Sequence, residues 1–488
     1  MSQKIHVAVI GAGPAGLAAA ANALAHGAQV TCIDANDQPG GQYWRHRLEQ
    51  PGRQPGVQPD STGHHDWKTY LSLRAAFDAG IAAGTLAYLP NTQVWMAQQR
   101  EDERITLQLT SATAAGTQAP ASTLTADRLV VATGAYDRQI PIPGWDLPGV
   151  MTAGAVQALI KGQGVLAGQR IVLAGTGPFL LPVASNVAHA GGSVLAICES
   201  ADLSGWLKNL KAPLAVPAKG IEGAEYIWDL LRHRIPYKRS TVITAIHGAE
   251  KVEAVSIART DKTGAVIAGS EERIENVDCV GLGFGFTTQL ELLTAFGVAT
   301  HMDVDGSLVA DVDEFQLTSG ANVLAAGEVT GIGGAALAVA EGTVAGYRAA
   351  LGSGQAPQQS EVAKELKTIS RHRAFARAMH QAHQVPDYWS GNLEEDTVVC
   401  RCEEVTAGEI IQARDELKAV DARSIKSTTR AGMGWCQGRV CGYAASCLAT
   451  CGDKHEAFAQ SVANTYKRPV SIPVPLGEIA DLEDSPKE

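Results

Sequence analysis

The residues with the most specific chemistry lie near the C-terminus, as Cys400-Arg-Cys402 and then Cys436-Gln-Gly-Arg-Val-Cys441. Two close cysteine pairs, brought together by the fold between them, supply four thiolates. That is the usual ligand set of an iron–sulfur cluster, because soft sulfur suits iron in both redox states. Gly432, Gly434, Gly438 and Gly442 let the backbone turn tightly around such a centre. Four thiolates also bind zinc, and zinc stays the structural alternative, although the C-x-C and C-x4-C spacings depart from the ordinary C-x2–4-C pairs. Cys447 and Cys451 lie four apart on an expected helix and read as small buried hydrophobes, not ligands.

A second chemistry-bearing pattern opens the chain. The apolar strand Ile5-His-Val-Ala-Val-Ile10 runs straight into Gly11-Ala12-Gly13-Pro14-Ala15-Gly16 and an Ala-rich helix, followed by the strand Gln29-Val-Thr-Cys-Ile33 and Asp34-Ala35. Gly11 makes the turn, Gly13 lets the backbone reach a pyrophosphate, and Gly16 permits close helix–strand packing. The helix N-terminus offers N–H groups to the phosphates, and Asp34 sits where an acid meets a ribose hydroxyl. Gly40-Gly41-Gln42-Tyr-Trp44 follows the second strand, where a chain passes near a flavin ring, so FAD is favoured over NAD. Thr133-Gly134 ends another apolar strand, and Ala326-Gly327-Glu328 with Ala335 ends a third and opens a helix.

The pattern repeats once. Arg170-Ile-Val-Leu-Ala174, Gly175-Thr-Gly177 and Ser193-Val-Leu-Ala-Ile-Cys-Glu199 form a second βαβ unit, with Glu199 in the ribose position and Leu180 where the third glycine belongs. Whether it binds NAD(P) or has lost its ligand is left open. The fold class is α/β: two Rossmann-like units, the second inserted in the first, and a small helical cluster domain. The expected boundaries are 1–150 and 286–352 for the two halves of the first unit and 151–285 for the insertion. A linker and helix over 353–395, the cluster domain over 396–455 and an extended tail over 456–488 complete the chain.

A net charge of −11 argues against nucleic acid as a partner. No run of about eighteen apolar residues reads as a membrane span. Nine cysteines without an export signal argue against a disulfide framework and for a cytoplasmic location. Cys32, Cys198 and Cys279 are isolated, so the redox cysteine pair of a thiol–disulfide enzyme is missing.

Residues 5–350 resemble the two-dinucleotide flavoprotein fold of the pyridine nucleotide–disulfide oxidoreductases. Gly175-Thr-Gly-Pro-Phe-Leu-Leu-Pro-Val-Ala184, Ala326-Gly-Glu-Val-Thr-Gly-Ile-Gly-Gly-Ala335 and Thr429-Arg-Ala-Gly-Met-Gly-Trp-Cys-Gln-Gly-Arg439 narrow the resemblance. They are similar to the large α chain of multisubunit opine (octopine/nopaline) dehydrogenases, a type that occurs also in hydrogen cyanide synthase and in hydroxyproline and proline dehydrogenase complexes. The C-terminal part resembles the bacterioferritin-associated-ferredoxin type of [2Fe–2S] domain. The resemblance implies a [2Fe–2S] cluster on Cys400, Cys402, Cys436 and Cys441, and FAD or another adenine nucleotide in the first unit. FMN at a subunit interface is a further option. The acid that usually meets the flavin ribityl chain is an Asp after Gly; here it is Glu328.

The resulting expectation is an electron-transfer subunit of a flavin-dependent opine, amino- or imino-acid dehydrogenase complex. Its partner would be a separate substrate-oxidising flavoprotein subunit, with room for a further small subunit, and no catalytic residue is assigned in this chain. A self-contained NAD(P)H-dependent reductase and a scaffold with a structural nucleotide are the alternatives.

Overall fold

A computed structural model of the chain describes residues 4–49, 63–111, 122–202, 205–206, 215–352, 354–385, 387–391, 393–451, 456–468 and 470–483. Its first sheet has five parallel strands in the order Val323–Ala325, Arg128–Val131, His6–Ile10, Gln29–Ile33 and Leu86–Leu89. Val7 to Ile10 are buried on both faces of the central strand, as a continuous apolar run in a parallel sheet requires. The helix Pro14–Ala25 starts directly after Gly13, with proline in its first turn where no N–H bond is lost. Against it packs Ala335–Ala350. A Cβ on Gly342 or Gly346 would lie 2.1 Å from the carbonyl oxygen of Ala15 or Ala19, so these two helices touch backbone to backbone.

The second sheet is also parallel, in the order Tyr237–Arg239, Ser193–Glu199, Arg170–Gly175, Cys279–Gly283 and Val150–Thr152. All its strands fall in the chain between Arg128–Val131 and Val323–Ala325 of the first sheet, which is the topology of an insertion. Two three-stranded antiparallel sheets flank the pair, Thr92–Gln99 with Ile105–Ser111 and Ser122–Ala126, and Thr241–His247 with Ala254–Arg259 and Glu272–Glu275. Among the described residues no helix is long and apolar enough to cross a membrane.

The C-terminal helices Ala407–Leu417, Ala422–Thr429, Gly442–Ala449 and Glu456–Tyr466 bury Ile410, Ile425, Leu448 and Phe458 between them. Thr406 and Glu409 form the capping box that their spacing announces.

Two expectations need correction. The tail is not extended throughout: Glu456–Tyr466 is helical because Phe458, Val462 and Tyr466 recur every fourth residue and form one buried face. Leu476–Glu483 is helical too, and residues 484–488 lie outside the described residues. The irregular segment between these helices crosses the strand Thr92–Gln99. There Ser471 N–H donates to the Trp95 carbonyl at 2.8 Å, and its hydroxyl to the Val94 carbonyl at 2.6 Å. Cys451 is exposed, past the end of the helix at a φ of 55°, so it shares no face with the buried Cys447.

Candidate nucleotide cavity and cysteine cluster

The cluster residues come together as two thiol pairs. Cys441 hydrogen-bonds Cys400 in the interior, and Cys402 contacts Cys436 nearer the surface. The hydrogen bond from Cys441 holds the Cys400 thiol down at about 5, helped by the N–H of Gly432 at 3.5 Å from its sulfur, while the shared proton and burial push Cys441 up. A Cβ on Gly434 would fall 2.1 Å from the Cys402 Cβ, so the loop closes over this cysteine only because position 434 is glycine. Among the described residues no three His, Cys, Asp or Glu side chains close tightly enough to hold a single metal ion. Four converging thiols, one already biased to thiolate and met by backbone N–H groups, fit a cluster that spreads its ligands over more than one iron.

The two Rossmann-like units enclose one cavity of about 2080 Å³. Gly11, Gly13, Pro14, Ala15, Asp34, Ala35, Gly41, Gln42, Thr133, Gly134, Gly327, Glu328 and Ala335 line it; Ala12 and Gly16 stand behind, both buried. The expected first-unit set is thus brought to one surface, at the N-terminus of a helix whose first turn offers N–H groups. Asp34 is committed in part to its own loop. Its Oδ2 accepts from the Ala12 N–H, and its Oδ1 accepts from the Asn36 N–H at 2.7 Å and from the Asn36 side-chain amide at 2.8 Å. A ribose hydroxyl would share this carboxylate with the turn.

Glu328 is likewise committed to its own turn. It accepts from the N–H groups of Gly333 at 3.1 Å and Gly334 at 3.0 Å, so it closes the turn that opens the helix Ala335–Ala350. Burial raises its pKa to about 7. Beneath it Glu341, 1% exposed, accepts from Gly327 N–H, from the Thr330 hydroxyl and from Arg373 of the helix Ala363–Ala382. That helix reads as a solvated Lys/Arg/His face, yet Arg373 points inward and pins it to the nucleotide floor. Burial raises the Glu341 and Asp137 carboxyls as well.

A pH dependence follows. An acid whose folded pKa lies above its ordinary value of 4.5 favours the folded state when protonated, and that contribution is lost as pH climbs towards about 7. The nucleotide-free chain is expected to lose on the order of a few kcal/mol of stability across this window. Glu328→Gln should flatten part of the slope in denaturant melts, leaving the share carried by Glu341 and Asp137. A slope unchanged in Glu328→Gln would contradict the assignment.

The second unit differs from the expectation for Glu199. This residue is 1% exposed and does not line the cavity. It accepts from Gly177 N–H and Ala201 N–H, each at 3.0 Å, and lies 3.5 Å from His383 at the end of the helix Ala363–Ala382. His383 in turn meets the Trp206 indole at 3.1 Å, and both rings do line the cavity. The helix of this unit begins at Leu180, whereas the first unit's begins directly after its second glycine. Its ribose-position acid is therefore covered, and its helix N-terminus is set back from the glycine turn.

The structure also joins the two sites in ways no local pattern announces. Arg439, between the ligand candidates Cys436 and Cys441, lines the cavity with its Nε 2.8 Å from Oε1 of the buried Glu291. Arg138, 2% exposed, lies under the Tyr443 ring at 4.6 Å and donates to the Phe286 carbonyl at 2.9 Å and the Ser307 hydroxyl at 2.7 Å. Trp145 donates from its indole to the Val398 carbonyl at 2.6 Å, and Arg401 stacks over its ring. The cluster domain is thus seated on the connection between the two nucleotide units.

These features, two glycine-turn units around one cavity with a cysteine loop in its wall, define a dinucleotide-dependent oxidoreductase with an attached iron–sulfur module. The chain belongs to the pyridine nucleotide-disulphide oxidoreductase family, whose model matches residues 5–354, and carries a BFD-like [2Fe-2S] binding domain over residues 398–448. With the first comes FAD or nucleotide binding, and with the second a [2Fe–2S] cluster. An opine oxidase subunit from Rhizobium meliloti is 31% identical, over 98% of this chain and 87% of the relative. Hydrogen cyanide synthase subunit HcnB of Pseudomonas aeruginosa is 29% identical, over 92% of this chain and 93% of the relative. Among solved structures, L-proline dehydrogenase from P. horikoshii superposes with a TM-score of 0.65 at 18% identity, covering 97% of this chain and 79% of that one, which shows a shared fold.

Proposed function

We propose that this chain is the electron-transfer subunit of a flavin-dependent opine, amino- or imino-acid dehydrogenase complex, and that it works beside a separate flavoprotein subunit that oxidises the substrate. The observation that carries this reading is the shared wall: Arg439 belongs at once to the cysteine loop and to the lining of the nucleotide cavity. The names of the relatives point the same way, since each is a subunit of an oxidase or synthase. The covered Glu199 speaks against a self-contained NAD(P)H reductase, which needs that acid on the nicotinamide nucleotide's ribose.

In this reading Gly11, Gly13 and the N-terminus of Pro14–Ala25 receive the pyrophosphate, and Asp34 with Ala35 receives the adenosine ribose. Gly41, Gln42, Thr133 and Gly134 border the redox-active end, while Glu328 fixes the turn before Ala335. A bound flavin supplies exchange between two-electron and one-electron chemistry. Cys400, Cys402, Cys436 and Cys441 hold the cluster that takes single electrons. Arg138 and Trp145 keep the distance between the two centres constant by fixing the cluster domain on the nucleotide units.

The test is a turnover assay. The isolated, cofactor-replete chain is expected to reduce no dye with a panel of opines and amino acids, and activity should appear on mixing with the substrate-oxidising flavoprotein subunit. Substrate-dependent dye reduction by the chain alone would overturn the proposal.

A further inference from the structure

Arg439 is placed to do more than fill the cavity wall. Three partners share its guanidinium. Nη1 donates to the carbonyl of the ligand candidate Cys436 at 3.3 Å, Nη2 donates to the Ser471 carbonyl, and Nε lies 2.8 Å from Oε1 of Glu291. That last contact is an ion pair without hydrogen-bond alignment, and Glu291 Oε1 is left with no aligned donor among the described residues. Glu291 is nearly covered and lines the same cavity. A second cation and two phenols complete the surroundings. Arg468 donates to the Gln437 side chain at 3.1 Å and to its carbonyl, while Tyr136 and Tyr466 face Glu291 as neutral phenols whose pKa burial pushes up. One cation thus sits between a cluster ligand's backbone and a cavity carboxylate that has unused acceptor capacity.

We propose that Arg439, balanced against Glu291, couples the charge on the cluster to the occupancy of the nucleotide cavity, so that reduction of the cluster and binding of an anionic nucleotide influence each other. The reasoning rests on the electron-transfer reading above and on electrostatics. Reduction adds one negative charge to the cluster, and a cation held at the ligand loop favours that state. Cluster potentials respond to nearby charge and to hydrogen bonds around the ligands, and in a poorly hydrated wall such interactions are weakly screened. An anionic group entering the cavity competes with Cys436 and Glu291 for the same guanidinium, and its own charge opposes reduction. Nucleotide binding should therefore lower the cluster's midpoint potential. By reciprocity, cluster reduction should weaken nucleotide binding by the same factor. Arg439 is in this sense a positioning residue that acts through charge, and Glu291 is its counterweight.

The experiment is an EPR-monitored redox titration of the full, cluster-loaded chain before and after saturation with FAD. Wild type is expected to show a lower cluster midpoint with FAD bound. Arg439→Gln should have a lower midpoint without FAD and a smaller further shift with it, since only the nucleotide's own charge then opposes reduction. Arg439→Lys should restore most of the FAD response, and Glu291→Gln should raise the midpoint. If Arg439→Gln keeps its cluster and titrates as wild type does, with the same FAD-dependent shift, the coupling is overturned. Should Arg439→Gln lose its cluster, Glu291→Gln decides, and a midpoint equal to wild type's would overturn the proposal. These outcomes are separable from the function itself. A chain that passes electrons in the complex while its cluster potential ignores FAD would refute only the coupling, and a chain that oxidises substrate alone would refute the relay.

Discussion

Gly13→Val is expected to yield a folded chain that retains almost no nucleotide, whereas Gly16→Val should fail to fold. The two glycines are three residues apart and differ in what a side chain would meet. At Gly13 the backbone is extended at a φ of −77°, and the nearest atom to an added Cβ is the Cα of Gly41, 3.8 Å away. Nothing in the protein objects to that Cβ. The space it would enter is the cavity itself, above the first N–H groups of the helix Pro14–Ala25, where a pyrophosphate must approach the backbone. At Gly16 the Cβ would lie 1.7 Å from the carbonyl oxygen of Gly11, so helix and turn would have to part. Overlap with rigid backbone inside a packed unit costs several kcal/mol, a large fraction of the stability of any domain. The checks are mass-spectrometric quantification of nucleotide released from each purified variant, with circular dichroism melts alongside. Full nucleotide content in Gly13→Val would reduce the fingerprint to a packing device. Gly13→Ala, one side-chain carbon instead of three, should fall between.

That contrast also marks what the sequence could and could not disclose. Strand, glycine turn, helix and acid lie within thirty residues of one another, so their joint meaning is local and legible, and the cysteine spacing is legible for the same reason. The capping box at Thr406 and Glu409 is a pattern of adjacent turns and reads directly. Contacts between distant segments leave no such trace. Glu341 sits in an Ala-rich helix with no local pattern to mark it, and Arg373 of the linker helix reaches it under the nucleotide floor. Glu199 has the right position for a ribose, but nothing near it in the chain announces that His383 will cover it. The pairing of Arg439 with Glu291 likewise joins segments that no periodicity connects. Cys451 shows the opposite failure: a helical spacing from Cys447 that the chain does not sustain, since it leaves the helix two residues earlier. The apolar recurrence at Phe458, Val462 and Tyr466 is visible in the chain, and a Pro-rich segment just beyond it masks the signal.

Replacing any one of Cys400, Cys402, Cys436 and Cys441 by Ser is expected to abolish or grossly alter the cluster, while Cys447→Ser and Cys451→Ser should leave iron content and EPR signal intact. A serine hydroxyl is a hard, weakly acidic group and does not replace a thiolate on iron at neutral pH. The four positions should nevertheless differ in what happens to the fold. Cys400 and Cys441 are 1% and 2% exposed and belong to the core that the cluster domain shares with the nucleotide units. Serine there should also lower thermal stability, by about 1–3 kcal/mol for a hydroxyl placed in apolar surroundings. Cys402 and Cys436 stand nearer the surface, so their Ser variants should lose the cluster and keep most of the fold. Cys447 provides the discriminating control. It is buried in the helix Gly442–Ala449, and Cys447→Ser should show the stability loss of an inner position with the cluster of a wild-type chain. Iron and sulfide analysis with visible absorption reads the cluster, zinc analysis of the same samples tests the single-metal alternative, and melts read the fold. Equal loss of iron in Cys447→Ser would move the ligand set into that helix. Stoichiometric zinc in a colourless wild-type chain would replace electron transfer at these cysteines by a purely structural role, and the relay would then lack its one-electron station.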